Sequence, residues 1–179
     1  MIIITPEQFR DSFQKIITNQ TNSQKVLGQW YKQKDFTKMM RDEILPCVAP
    51  DIGLKCYSEK DYYWLDAIFY ENNDTNHFGK DTIFANYIAV AIEHEHIDRG
   101  TAVEMNKLQL FNCPLKVLIT YPGKDKKGLL DTYTEIIKSA DIFSDISTLR
   151  KQLVIFGFKE DNEIIWEYHV YDGHNFSRI

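Results

Sequence analysis

The fold of this chain is decided by a stretch in which apolar residues give way to two glutamates, Ile88-Ala89-Val90-Ala91-Ile92-Glu93-His94-Glu95-His96. Small and branched apolar residues of this kind are typical of a buried β-strand, on which side chains alternate between the two faces. Glu93 and Glu95 are therefore predicted to share one face. Two carboxylates at the end of a buried strand are unfavourable unless a cation neutralises them, and a divalent cation with oxygen ligands is the simplest candidate.

On both sides of this strand, the sequence predicts alternating helices and strands. Thr5-Pro6-Glu7-Gln8 begins a first helix with a capping box. Further helical segments follow, and Pro46, Pro50 and Gly53 are predicted to end the helical part. Candidate strands cover 54–58, 62–70, 115–121, 152–158 and 163–171, and candidate helices cover 102–111 and 129–138. This order predicts an α/β fold with a mixed central β-sheet flanked by helices, in one domain over 1–179.

Composition limits the classes of function. The net charge of −5 argues against sequence-independent coating of nucleic acid, although it leaves room for an enzyme whose basic residues cluster locally. Lys32, Lys34, Lys38 and Arg41 form such a cluster, although a solvated helix face is the favoured interpretation. Three scattered cysteines without a CxxC pair argue against a disulfide framework. Without a signal peptide or an apolar segment of about 18 residues, a cytoplasmic protein with no membrane partner is expected.

A third carboxylate is predicted to join Glu93. Asp66 interrupts an aromatic candidate strand, where an acidic residue needs a specific role. If this strand pairs in antiparallel register with the strand that ends at Glu93, three oxygen ligands could meet at one ion: Asp66, Glu93 and the backbone carbonyl of His94. Glu95 lies two residues further along the same face. His94 and His96 fall on the opposite face, so His94 is predicted to pack in the core, and a zinc site is not expected.

These residues resemble the PD-(D/E)xK nuclease superfamily, in which an acidic strand residue precedes a Glu-x-Lys or Glu-x-Glu motif, a helix and a strand. The resemblance covers about residues 35–121 and implies a restriction-endonuclease-like core with added N-terminal helices. It implies that Asp66 and Glu93 bind Mg²⁺, with Mn²⁺ as the alternative ion. It also implies that Glu95 takes the third catalytic position, where lysine is usual. The literal pair Pro50-Asp51 lies in a predicted turn, so Asp66 is the preferred first ligand.

Two further residues have alternative interpretations. Lys107, on the helix after the motif, could be a relocated catalytic lysine, but a solvated helix lysine is the favoured interpretation. Glu43 could be an additional metal ligand from the preceding helix, or a surface glutamate.

The resemblance therefore predicts a metal-dependent endonuclease that hydrolyses phosphodiester bonds in DNA, with RNA left open as a substrate. The alternative is a non-catalytic binding or regulatory module of the same fold. The polar stretch 71–81 is expected to approach the substrate. A homodimer would be the simplest arrangement for cutting both strands of a duplex.

Overall fold

The chain before the first strand is helical, and the helices begin at caps that the sequence supplies. The computed structural model describes residues 2–58, 63–71, 87–96, 98–141 and 150–179. The helices of this part are α1 (Pro6–Ile17), α2 (Gln20–Gln29), α3 (Gln33–Met39) and α4 (Leu45–Asp51), and a π-helical turn (Met40–Ile44) joins α3 to α4. The predicted capping box is present, because Thr5 and Gln8 each accept a hydrogen bond from the other's backbone N–H.

The prediction that Pro46 and Pro50 end the helical region is wrong. Pro46 lies in the first turn of α4, where a missing N–H is tolerated, and Pro50 lies further along the same helix. Just before Pro46 the helix widens, and the Leu45 N–H donates to the Met40 carbonyl five residues back. The helix ends at Asp51, and Gly53 follows it with a φ of +77° that favours glycine, so the predicted role of Gly53 in ending the helical part is confirmed.

Seven strands of the described residues form one sheet in sequential order. They are β1 (Lys55–Tyr57), β2 (Ala67–Tyr70), β3 (Ile88–Glu95), β4 (Leu115–Thr120), β5 (Lys151–Glu160), β6 (Glu163–Tyr171) and β7 (Phe176–Arg178). Strands β3, β4 and β5 run parallel, and the other neighbouring pairs are antiparallel. The predicted mixed α/β sheet is therefore confirmed.

Helices cover both faces of the sheet. The parallel strands are connected by α5 (Asp98–Gln109) and α6 (Lys126–Ala140), and such connections are almost always right-handed, so both helices lie on one face. Their apolar residues form one core cluster with that face, and α1 to α4 form a second cluster with the opposite face. Within the described part of the chain, no helix has the length and apolar character that crossing a membrane requires.

Several element boundaries differ from the prediction. Strand β2 begins at Ala67 rather than at 62, so Asp66 precedes the strand instead of interrupting it. Helix α5 begins at Asp98 rather than at 102, and β7 was not predicted at all. The closing hairpin of β5 and β6 is confirmed, with its turn at Asp161. Of the predicted substrate loop, only Glu71 belongs to the described residues, and 72–81 lie outside them.

Candidate functional site

Asp66 is held beside the end of β3 by the pairing of β2 and β3. Ala67 lies opposite Ile92 in the antiparallel ladder. Extending this register by one residue places Asp66 next to Glu93. The His94 N–H donates to Asp66 Oδ2 at 2.8 Å. Burial raises the pKa of the Asp66 carboxyl, and the hydrogen bond from His94 opposes that shift. The predicted convergence of the two strands is present, with the His94 N–H as a direct contact of Asp66.

Glu93 is the most buried carboxyl of the site, with 1% of its surface exposed. Its Oε1 atom is buried without a hydrogen-bond partner. Burial raises the pKa of Glu93 to about 10, and the charge of Asp66 acts in the same direction, while the Lys107 contact lowers it. In the absence of a bound cation, Glu93 is therefore protonated at neutral pH.

Lys107 reaches the two strands from α5. Its Nζ lies 2.8 Å from Glu93 Oε1, donates to the Trp64 carbonyl at 2.7 Å, and pairs with Glu104 one helical turn earlier. Only the Trp64 contact has hydrogen-bond geometry, because Glu93 Oε1 and Glu104 Oε2 are buried without a hydrogen-bond partner, so the two glutamates contact Lys107 by charge and proximity. The favoured interpretation of Lys107 as a solvated helix lysine is therefore wrong, because its ammonium lies against the buried glutamate.

Glu104 is a residue of this site that the sequence interpretation did not identify. The spacing Glu104-x-x-Lys107 places both side chains on one side of α5 and was an available signal. Asp66, Glu93, Glu104 and Lys107 are called the carboxylate–lysine cluster below. The cluster holds three acidic groups and one basic group, so it carries an excess of potential negative charge.

Glu95 lies on the same face as Glu93, as strand alternation predicts, but beside a different partner. Its side chain lies against the first turn of α5, where a Cβ at Gly100 would approach Glu95 Cδ to 3.0 Å. The positive end of the helix dipole favours a carboxylate at this position. Lys107, rather than Glu95, makes the contact with Glu93 that a third catalytic group would need.

The two histidines face the N-terminal helices. His94 Nε2 hydrogen-bonds with Tyr121 Oη at 2.7 Å, and His96 Nε2 lies 3.2 Å from the Trp30 carbonyl. Phe36 stacks on the His94 ring. Burial lowers the pKa of His94 to about 3, so the ring is neutral at physiological pH. The prediction of a core histidine is confirmed.

Two other acidic candidates lie elsewhere. Glu43 pairs with Lys25, and about half of its side chain is exposed, which fits the surface glutamate of the two interpretations. Asp51 lies 2.5 Å from Lys15 Nζ at the end of α4.

A basic cleft adjoins Glu95 on the side of α3. It is lined by Gln33, Lys34, Thr37, Lys38, Arg41, Glu95 and His96. Arg41 belongs to the π-helical turn, and such turns are frequent at functional sites. Three residues of the predicted basic cluster thus meet the end of β3, two residues along the strand from Glu93. At about 3.3 Å per residue, this separation is roughly 7 Å.

Tyr63 and Trp64 adopt an unfavourable backbone conformation beside Asp66. Their φ angles are +50° and +73°, in the left-handed region, which costs a residue with a side chain roughly 1–2 kcal/mol. The Lys107 hydrogen bond to the Trp64 carbonyl helps to hold this turn. The sequence interpretation placed both residues in a regular strand and missed the turn.

The donor chemistry of Asp66 and Glu93 fits Mg²⁺. This ion commonly uses one or two protein carboxylates and keeps several waters. The buried Glu93 Oε1 has no hydrogen-bond partner, and a cation could displace the proton that burial favours on this carboxyl. The predicted three-carboxylate site is not seen, since the described residues contain no group of three histidine, cysteine, aspartate or glutamate side chains able to hold a metal ion. The side chains that suit Mg²⁺ are therefore the two carboxyls of Asp66 and Glu93.

The raised pKa of Glu93 predicts a pH-dependent stability in the presence of EDTA. Between its ordinary value of 4.5 and about 10, folded Glu93 keeps a proton that the unfolded chain releases, so stability falls as pH rises through this window. Glu93→Gln removes this titration. The free energy of unfolding of the natural protein should therefore fall relative to the variant by about 1 kcal/mol per pH unit. Urea unfolding from pH 5 to pH 9 measures the difference, and parallel curves would contradict the assignment.

No protein-family model matches this chain, and no curated protein matches it at a significant level. The fold and the site therefore carry the functional conclusion. Together they define an α/β protein with a mixed sheet, in which two carboxyls and a lysine meet at the carboxyl end of the first parallel strand.

Proposed function

We propose that this protein is a divalent-metal-dependent nuclease that hydrolyses phosphodiester bonds in DNA. The observation that supports this most strongly is the contact of Asp66, Glu93 and Lys107, which come from a strand start, a strand end and the following helix. These are the residue types of the PD-(D/E)xK superfamily, and Lys107 occupies the role of the lysine that is missing at position 95. Asp66 and Glu93 would hold Mg²⁺, or Mn²⁺ as the alternative.

Each residue of the cluster has a chemical task in this proposal. The His94 N–H orients Asp66, and Lys107 orients Glu93. The ammonium of Lys107 remains protonated, because the neighbouring glutamates raise its pKa, and it offsets the negative charge of a phosphate. When bound, the ion would supply Lewis-acid stabilisation and a water of lowered pKa.

The basic cleft supports DNA as the substrate. Lys34, Lys38 and Arg41 line a depression that borders Glu95 at the end of β3, on the side of α3. Phosphate contacts of this kind position a nucleic acid without reading its sequence. A local basic cleft also reconciles the substrate with a net charge of −5. Homodimerisation would allow both strands of a duplex to be cut.

One observation favours the alternative, a non-catalytic module of the same fold. Lys107 already places a cation against Glu93, so the buried carboxyls have an internal partner. Such a protein could bind nucleic acid through the basic cleft without cleaving it. Metal binding separates the two hypotheses, since a module of this kind needs no Mg²⁺.

Incubation of the purified full chain with nucleic acid tests the proposed activity. We expect end-labelled DNA and plasmid DNA to be cleaved in millimolar Mg²⁺ or Mn²⁺ and to remain intact in EDTA, because the carboxyls alone cannot activate water. Calorimetry should show binding of the ion to the protein alone. Cleavage of RNA but not of DNA would correct the substrate. Absence of both cleavage and metal binding would leave the non-catalytic alternative.

A further inference from the structure

Two aromatic rings project into solvent at the edge of the carboxylate–lysine cluster. Tyr63 and Trp64 are 73% and 79% exposed, whereas Trp30 and Trp166, the other two tryptophans of the chain, are each 8% exposed. The position of the rings is tied to the cluster, because the Trp64 carbonyl accepts a hydrogen bond from Lys107 at 2.7 Å. Leu65, the next residue, is fully buried and anchors the turn on its other side.

Neither packing nor backbone preference accounts for this arrangement. Exposed rings bury little apolar surface, so they gain little from the hydrophobic effect. The left-handed φ of both residues is adopted far more readily by glycine or asparagine. Backbone strain of this kind is concentrated at functional sites, where the surrounding structure maintains it. An observed strain beside a candidate catalytic cluster therefore points to a ligand for the exposed Trp64 ring.

We infer that Trp64 forms a stacking platform for an unpaired nucleobase next to the phosphate at the carboxylate–lysine cluster. This inference rests on the proposed function, which supplies the nucleic acid. A base is attached to the backbone that the cluster would hold, and each base has a π-face on which an aromatic ring stacks. Lys107 links the two parts, since one ammonium contacts both Glu93 and the Trp64 carbonyl.

The platform defines a class of substrate. A base within a continuous duplex is already stacked between its neighbours, and extruding it costs free energy. Single strands, bulges and frayed ends present bases without that cost. The protein is therefore expected to bind and cleave DNA with an unpaired base more readily than continuous duplex.

The test uses a single-stranded oligonucleotide that carries one 2-aminopurine, titrated with the full-length protein in EDTA so that binding is measured without metal. Stacking quenches 2-aminopurine fluorescence, and the exposed Trp64 should be quenched in return. Trp64→Ala should weaken binding about tenfold or more, in the range that alanine substitution of a stacking residue produces. Trp64→Phe should retain most of the binding.

Two variants separate stacking from a structural role. Trp64→Gly suits the left-handed backbone, so its melting temperature should be equal to or higher than that of the natural protein, while binding is lost. Tyr31→Ala is the matched control, because Tyr31 is also 78% exposed but has Lys159 over its ring at 4.5 Å. Its binding should be unchanged.

The outcomes distinguish this inference from the nuclease proposal. Quenching that disappears in Trp64→Ala supports the platform, even if Mg²⁺ produces no cleavage and the nuclease proposal fails. If Trp64→Ala binds or cleaves DNA as well as the natural protein does, the platform is overturned and the nuclease proposal remains intact. Absence of oligonucleotide binding at micromolar protein also overturns the platform.

Discussion

Asp66→Asn and Glu93→Gln are each expected to reduce Mg²⁺-dependent DNA cleavage by about 10³-fold. Stabilisation of transition-state charge by a bound metal ion is worth several kcal/mol, and 1.36 kcal/mol corresponds to a factor of ten in rate. Each substitution replaces a carboxylate by an amide of the same shape, which is a poor ligand for a hard cation. Initial rates on end-labelled DNA, with the Mg²⁺ concentration varied, measure the loss.

The fold should survive both substitutions, so the loss can be assigned to chemistry. Glu93 is protonated at neutral pH in the absence of metal, and a glutamine is neutral in the same way. The amide oxygen that Asp66→Asn introduces can still accept the hydrogen bond that the His94 N–H now donates to Asp66. Melting temperatures measured in EDTA at pH 5, where the titration of Glu93 contributes little, should lie within a few degrees of the natural value, and circular dichroism should be unchanged.

Asp51→Asn and Glu43→Gln are the matched controls for this experiment. Asp51 belongs to the literal Pro-Asp pair, and Glu43 was the additional candidate ligand, but each pairs with a lysine away from the cluster. Both variants should cleave DNA at the natural rate. Full activity in either Asp66→Asn or Glu93→Gln would remove that residue from the metal site.

Strand alternation made part of this site predictable. A buried strand has a fixed period of two, so the faces of Glu93 and His94 follow from their order in the sequence. The pairing of β2 with β3 was also predictable, since segments that follow one another in the sequence are usually neighbours in a sheet. Local rules of this kind depend on nearby residues alone.

The position of Lys107 was not predictable from local rules. A lysine on a helix is usually solvated, and only the packing of α5 against the end of β3 brings its ammonium to Glu93. The same tertiary contact fixes the turn at Trp64, whose carbonyl accepts from Lys107. Aromatic residues have a high β-strand propensity, so the sequence predicted one strand over 62–70. The tertiary contact with Lys107 instead favours a turn at Trp64.

Glu95 illustrates why a motif and a site can differ. Its spacing from Glu93 matches the third position of the motif, and its face is the expected one. Glu95 lies two residues further along β3 than Glu93, however, so its side chain contacts the first turn of α5 and lines the basic cleft instead of joining the cluster. The dipole of α5 favours a carboxylate at this position. In the proposed nuclease, Lys107 on α5 would take the role that lysine has at the third position of the motif.

Lys107→Met is expected to reduce cleavage by about 10²-fold, the effect of removing one preorganised positive group from a transition state. It should also lower the free energy of unfolding by about 1–3 kcal/mol, because buried acceptors lose their donor. Lys107→Arg keeps the charge but not the compact ammonium, so its cleavage rate should lie between the rates of the natural protein and of Lys107→Met. Single-turnover cleavage and urea unfolding measure the two effects separately.

Lys25→Met is the control, since Lys25 also pairs with a glutamate but lies on α2 with 48% of its side chain exposed. It should leave cleavage unchanged. Natural-rate cleavage by Lys107→Met would reduce Lys107 to a structural role. Calorimetry adds a sharper distinction: if the natural protein binds no Mg²⁺ but Lys107→Met does, the ammonium is a built-in substitute for the metal. That result would favour the non-catalytic module, because a lysine that replaces the ion cannot assist it.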